Sequence, residues 1–331
     1  MRARLAALDS TMIVFIVLAF SIVAGSVITA LEGRNFFSVG NIDNVLTTMT
    51  ILGLIAIGQT LVILVGSLDL SVPFMVSLAS VLAGGIMADR SANIAVGVAA
   101  ALGVAVLFGL VNGLIVSLLN VHGFIATLGT GLIVSGFLGS NYQGSSGTAP
   151  HAFRLLDATR IGPVPVATLI MLVCAGLAVL MLRRTRLGHH IYAVGGNAEV
   201  ARMSGVRTQV PIIAAHVICS VTAALAGLLL LARLGVGQPT VGSQAGYDLM
   251  SIAAVVLGGT LLSGGKGSIV GTIAGVGIFA VLDNVMGVMQ LNPFLKDVVR
   301  GIVIVVAVAV YARREIDRRP ERFGTTTEVT S

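Results

Sequence analysis

The sequence predicts an all-α polytopic membrane protein of about ten transmembrane helices, and three observations predict it. Hydrophobic residues make up 56% of the 331 residues and charged residues only 10%, with a mean hydropathy of +1.01. A water-soluble domain of this length covers itself with far more charge, so the missing polar surface is replaced by a surface that faces lipid. Apolar windows long enough to cross about 30 Å of hydrocarbon recur along the chain. Lys and Arg are also divided unevenly between alternate connections, as the positive-inside rule requires.

In chain order the windows fall at 11–31, 45–66, 71–88, 94–118, 123–140, 163–182, 210–232, 248–262, 269–289 and 297–312. The first follows Arg2 and Arg4, as a signal peptide would, but its apolar run is long and no small-x-small cleavage site follows, so it reads as a retained span. The windows at 248–262 and 297–312 are short and read as tilted, broken or extended. With a cytoplasmic N-terminus, ten spans put 13 of the 20 Lys and Arg residues in cytoplasmic segments. That bias places both termini inside, which an even number of spans also requires. The net charge of +6 and pI of 10.0 therefore reflect membrane orientation, not nucleic-acid binding, because the basic residues sit in short connections.

Two connections are long. Residues 141–162 lie outside and carry Gly, Ser and Pro, while 183–209 lie inside and carry Arg, Gly, Asn and Glu. The organisation is one transmembrane domain over 1–331, with a membrane core at 10–312, a cytoplasmic connection at 183–209 and a charged, Thr-rich tail at 313–331 that reads as disordered. Glycine numbers 41, and Gly109-x-x-x-Gly113 and Gly271-x-x-x-Gly275 have the spacing that lets helix backbones approach closely. Cys174 and Cys219 lie inside apolar runs and read as packing residues, with no disulfide framework and no metal site.

Four constellations carry the functional reading. In Gly66-Ser67-Leu68-Asp69-Leu70-Ser71-Val72-Pro73 a carboxylate stands between two apolar windows, flanked by helix breakers. Asp69 or Ser71 caps the next helix or faces a polar pathway, and the two roles are compatible. In Gly123-Phe124-Ile125-Ala126-Thr127-Leu128-Gly129-Thr130 the hydroxyls of Thr127 and Thr130 line a polar route or bond back to carbonyls. In the 185–205 segment, Asn197 caps a short helix through Ala198 and Met203, and Gly205 stops it. Its small residues Ala198, Ala201 and Ser204 form a face that rests on a partner groove or on lipid headgroups. In Gly258-Gly259-Thr260-Leu261-Leu262-Ser263-Gly264-Gly265-Lys266-Gly267-Ser268, Gly267 stands where a phosphate loop needs Ser or Thr, so the glycines serve a turn between spans and this chain holds no ATP site. Asn112, Asp283 and Asn284 lie inside windows and face the protein interior, where they bond neighbouring helices or contact solute.

Taken in this order, the constellations resemble the permease subunits of ribose-type (monosaccharide) ATP-binding-cassette importers, the binding-protein-dependent transport permeases. Segment 66–73 is similar to the family's Gly-Gly-x-Asp-Leu-Ser block, and 123–129 to Pro-Phe-Ile-Ala-Thr-Leu-Gly. Segment 185–205 is similar to Gly-Gly-Asn…Ala…Ser-Gly, and 253–275 to a Gly-Gly…Gly-Gly-x-Gly-x-x-x-Gly block. Three positions depart from the pattern: Ser67 replaces a Gly, Pro73 replaces a Gly, and Gly123 replaces the Pro before Phe124.

The resemblance implies an inverted-repeat core and a bacterial-type inner membrane. It implies a second permease subunit (a homodimer or a similar heterodimer), two cytoplasmic ATP-binding subunits and an extracytoplasmic sugar-binding protein. ATP is used by those partners, and this chain binds no cofactor. Contact with the ATPase falls to Gly195, Gly196, Asn197, Ala198, Ala201, Ser204 and Gly205. The translocation pathway falls to Asp69, Ser71, Asn112, Phe124, Thr127 and Asn284. A branched-chain amino-acid permease shares the architecture, but a zwitterion wants a clear charge partner, and a neutral polyol fits the residues better. An ion-coupled secondary transporter needs a relay, and Asp283 reads as the only ionisable residue well inside a window. A membrane enzyme lacks any nucleophile–base or metal constellation.

Overall fold

The computed structural model describes residues 10–317. Arg2, Arg4 and the tail beyond residue 317 lie outside the described residues. The chain runs through α1 (Ser10–Leu31), α2 (Val39–Leu64), α3 (Val72–Met87), α4 (Ile94–Leu118) and α5 (Gly123–Asn141). A short α6 (His151–Ala158) precedes α7 (Val166–Arg184), α8 (Arg186–Gly196), α9 (Ala198–Met203) and α10 (Gln209–Leu234). One turn, α11 (Val241–Gln244), leads to α12 (Tyr247–Leu257), α13 (Ile269–Val288) and α14 (Pro293–Asp317).

Among the described residues seven helices, α1, α2, α4, α5, α7, α10 and α13, are long and apolar enough to cross a membrane. The apolar helices α3 and α12 are shorter, at 16 and 11 residues. The window at 248–262 thus holds a helix only to Leu257. Gly258 ends it, and Gly259 at φ +89 turns the chain out of helical geometry.

Burial sorts the helices into two layers. From Thr50 to Leu64 every residue of α2 is buried, and α10 and α13 are covered along most of their length. A helix apolar all round and covered all round belongs to the middle of a bundle. Around this centre α1 exposes Phe20, Val23, Val27 and Leu31, and α4 exposes Leu107, Val111 and Leu118. Such contiguous apolar surface suits lipid and not water.

The helices meet through small residues. On α4, Gly97, Ala101, Ala105, Gly109 and Gly113 recur every four residues and are all buried. A Cβ at Gly109 would stand 2.5 Å from Val217 Cα, and one at Gly113 would stand 2.6 Å from Ile213 Cα. The Gly109-x-x-x-Gly113 pair is therefore the place where the α4 and α10 backbones cross. Likewise Gly271 and Gly275 of α13 press on Gly258 O and Ala254 O at the end of α12. Lipid tails are as apolar as Leu, so close packing and interhelical hydrogen bonds have to hold the bundle. Two threonine pairs supply such bonds, Thr50 with Thr168 of α7 and Thr60 with Thr272 of α13, each at 2.8 Å.

The connection at 141–162 is ordered by pairing that its composition does not reveal. Strand β1 (Ser146–Thr148) pairs with β4 (Val236–Gly237) after α10, and β2 (Arg160–Ile161) pairs with β3 (Val164–Pro165). Ala149 N donates to Gly235 O at 2.8 Å and Asp89 N to Thr148 O at 3.0 Å. Gly147, at φ +70, lies directly on the backbone of Gly84 and Gly85. These contacts pin the connection over the ends of α3 and α10.

The crossing of α4 and α10 yields a paired prediction. Gly113→Ala forces the two backbones apart and lowers stability by about 1–3 kcal/mol. Gly103→Ala meets open space on the exposed side of α4 and is neutral or slightly stabilising. Thermal unfolding of the two purified variants in the same detergent checks this.

Candidate functional site

Between α2 and α3 the chain leaves helical geometry at residues 65–71, and polar groups gather at this break. Gly66 turns the chain at φ +81, and Pro73 occupies the first turn of α3, where its missing N–H costs nothing. Non-helical backbone inside a membrane bundle must find its partners in protein.

Asp69 and its neighbours supply those partners. Its Oδ1 accepts from Ser71 N at 2.9 Å and from Ser71 Oγ at 2.5 Å. With its side-chain amide oriented so that both atoms find partners, Gln59 of α2 pairs with the Asp69 backbone, the nitrogen donating to Asp69 O at 3.2 Å and the oxygen accepting from Asp69 N at 3.3 Å. From α10, His216 Nδ1 donates to Asp69 Oδ2 at 3.3 Å, and His216 Nε2 shares a hydrogen bond with Ser67 Oγ at 3.1 Å. Asn112 Nδ2 of α4 donates to Ser71 Oγ at 3.0 Å, and Asn112 Oδ1 accepts from Thr130 Oγ1 of α5 at 2.7 Å. Thr127 Oγ1 accepts from Leu70 N at 2.9 Å and donates to Gly123 O at 2.8 Å.

Gln59, Asp69, Asn112, Thr127 and His216 are all fully buried. Asn112 lies six residues before the end of α4 and His216 seven after the start of α10, so the knot sits about 10 Å in from those helix ends. Removing one partner of such a pair leaves an uncompensated buried group and costs about 3–5 kcal/mol.

Four of the residues assigned to a pathway, Asp69, Ser71, Asn112 and Thr127, are therefore brought together. Phe124 and Asn284 are not. Phe124 is 43% exposed on the outer side of α5. Asn284 lies near the far end of α13, where its Nδ2 donates to Asn41 Oδ1 at 2.8 Å. Beside it Asp283 is ion-paired with Arg300 of α14. The capping role for Asp69 or Ser71 does not hold. Helix α3 has no side-chain cap, because Asp69 is turned onto Ser71 and His216. The expectation that Asp283 is the only ionisable residue well inside a window is overturned by His216. Its signal was an ionisable residue well inside the 210–232 run. Gln59 gave the same signal as Asn112, a polar amide inside an apolar window, here 45–66, and was passed over.

Outside the spans, α8 and α9 form the 183–209 connection. Thr185 Oγ1 caps α8 by accepting from Gly188 N at 3.1 Å. Asn197 Oδ1 caps α9, accepting from Glu199 N and Val200 N at 3.0 Å each, and Gly205 at φ +83 ends the segment. Gly196, Asn197, Ala198, Ser204 and Gly205 are exposed, whereas Gly195 is half-buried. Ala201 corrects the expectation of an outward face made of small residues, for it is buried. The outward apolar residues are Val200 and Met203, 57% and 83% exposed.

Ser67 and Gly123, two departures from the family pattern, explain each other. A Cβ at Gly123 would overlap the Ser67 hydroxyl, so a side chain at 123 displaces that hydroxyl from its bond with His216.

Membrane-length helices around a buried polar break, with a capped helix standing outside the spans, define a multi-pass membrane protein. Residues 41–308 match the family described as "Branched-chain amino acid transport system / permease component", and the chain belongs to that family. It is 38% identical over 286 residues to the ribose import permease protein RbsC of Escherichia coli strain K12, covering 85% of this chain and 88% of the relative. It is 35% identical over 293 residues to RbsC of Bacillus subtilis strain 168, with the same coverage. It is 31% identical over 310 residues to the galactose/methyl galactoside import permease protein MglC of E. coli K12, covering 86% and 91%. No solved structure matches the chain. Like these relatives it is a transport component and not an enzyme.

Gly123→Ala alone lowers stability, and Ser67→Gly in the same chain restores most of it. A double-mutant cycle by thermal unfolding returns a coupling of about 1–3 kcal/mol. Additive effects would disconnect the two positions.

Proposed function

We propose that this chain is the membrane-spanning permease subunit of an ATP-binding-cassette importer for a monosaccharide or related polyol. The observation that carries the reading is the likeness to ribose import permeases across 85% of the chain, a stretch that includes both the Asp69 break and the capped α9. The sugar arrives on an extracytoplasmic binding protein. Two cytoplasmic ATP-binding subunits supply the energy, and a second permease subunit completes the membrane part.

In this reading the chain is one transmembrane domain of ten spans with an inverted-repeat core. The shorter α3 and α12, together with α14, add to the seven long helices. Both termini are cytoplasmic in an inner membrane, and ATP is bound by the partners alone. The segment from Gly195 to Gly205 receives the ATPase, with Val200 and Met203 as the side chains offered to it. The exposed Phe124 on α5 faces the second permease and the sugar path. Asp69, Ser71, Asn112 and Thr127 act from behind that path by holding the broken helix in place, and Asn284 steadies the outer end of α13 against α2.

Purified alone in lipid, the chain shows no ATP hydrolysis. Assembled with its partners, it takes up sugar only when both ATP and binding protein are present. Hydrolysis by the isolated chain, or uptake without ATP, would sink the assignment. Topology is tested with Cys174 and Cys219 replaced by Ala and single cysteines placed at Gly144, Ser204 and Arg318. An impermeant maleimide added to intact cells labels the first and not the other two. Labelling of Arg318→Cys from outside would remove the even span count.

A further inference from the structure

Three backbones meet without any side chain between them where the cytoplasmic connection touches the bundle. They are the end of α8 at Gly195 and Gly196, the end of α2 at Leu64, and the turn at 263–267. Gly265 N donates to Leu64 O at 3.0 Å. A Cβ at Gly195 would overlap Leu64 O and stand 2.6 Å from Gly265 N. A Cβ at Gly264 would stand 2.9 Å from both Gly195 O and Gly66 N, and one at Gly265 would stand 2.6 Å from Gly196 Cα. Gly66, Gly264 and Gly265 hold φ of +81, +86 and +71, so both turns that enter the contact depend on glycine. Tyr192 fastens the same contact from α8, its hydroxyl donating to Gly267 O at 2.9 Å. Burial raises the Tyr192 phenol above its ordinary value, with Arg183 opposing, so the hydroxyl keeps the proton that it donates.

This contact has a fixed relation to the two centres already described. On one side Asn197 begins α9 directly after Gly196. On the other, Gly66 is three residues from Asp69, whose knot holds α4, α5 and α10. Side chains in a contact can change rotamer and absorb a displacement, whereas touching backbones pass it on. We propose that the 64–71 connector is the lever that carries movement of α9 to the spanning helices. Gly195 and Gly265 are the positioning residues that keep it in gear, and Tyr192 holds the contact closed. The inference rests on the importer reading, and it locates coupling inside this chain, beneath the surface offered to the ATPase.

Two neighbouring glycines separate this lever from a docking surface. A Cβ at Gly196 meets nothing, although Gly196 is the more exposed of the pair. Gly195→Ala and Gly196→Ala are each reconstituted with the ATP-binding subunits and sugar-binding protein. The readouts are complex yield, Tm, ATP hydrolysis and sugar taken up per ATP. Gly195→Ala is expected to assemble with the ATPase and to lose about tenfold in sugar per ATP, the scale of an intramolecular coupling term. Gly196→Ala, on the surface offered to the ATPase, is expected to lower complex yield while the complex that forms keeps the wild-type sugar per ATP. Wild-type sugar per ATP in Gly195→Ala overturns the lever, as does an equal loss in both variants.

If Gly195→Ala lowers Tm or fails to assemble, Tyr192→Phe decides. It removes one hydrogen bond at unchanged volume and is expected to keep Tm while lowering sugar per ATP. A wild-type ratio in Tyr192→Phe overturns the lever. A wild-type complex that imports no sugar sinks the importer reading itself, and the lever with it. An active wild type with indifferent variants sinks only the lever.

Discussion

The structure depends on one constraint: peptide groups that leave helical geometry inside an apolar bundle must be satisfied by protein. Residues 65–71 break the helical run at a buried place, and five helices lean on the solution. Gln59 answers the backbone of Asp69, Ser71 and His216 answer its carboxylate, and Asn112 and Thr130 complete the chain of bonds to α4 and α5. Without Asp69 the break would leave orphan polar groups at a cost of several kcal/mol. With it, the same groups become the fastening between α2, α3, α4, α5 and α10. The helix break is thus both a polar burden on the bundle and a point where five of its helices are joined.

Packing elsewhere follows from the weakness of the hydrophobic effect between helices already in lipid. Small residues at four-residue spacing let α4 lie on α10, and Gly271 and Gly275 let α13 lie on α12. The threonine pairs between α2 and its neighbours add directional bonds, each worth about 0.6 kcal/mol in membranes. Their value lies in fixing the rotation and depth of helices whose apolar surfaces alone would slide.

Much of this was legible in the sequence because lipid imposes simple rules. Length and hydropathy placed α4, α5, α10 and α13 to within two residues, and the cap and stop of α9 were written in Asn197 and Gly205. The 248–262 window misled because hydropathy does not see that Gly258 and Gly259 end a helix. The inward turn of Ala201 was not legible, since six residues cannot say which side meets the bundle. His216 went unread for a different reason. Its place inside the 210–232 run was there to be read, but its partner, Asp69, lies 147 positions away, and only the fold shows what the imidazole bonds to. The pairing of Ser67 with Gly123 was visible as two separate oddities, and became one fact when both were placed in space.

The burial of α2 also has a consequence for biogenesis. It leaves the ribosome well before α7, α10 and α13, yet it carries Thr47, Thr50, Gln59 and Thr60 on surfaces that the finished bundle covers. Thr168 and Thr272, which bond two of them, are translated more than a hundred and two hundred residues later. Domains and segments emerge N-terminal first, at about 5–20 residues per second. For several seconds, then, the future centre of the molecule lies at its rim against lipid or the insertion machinery. Only when α10 and α13 arrive does α2 become an interior.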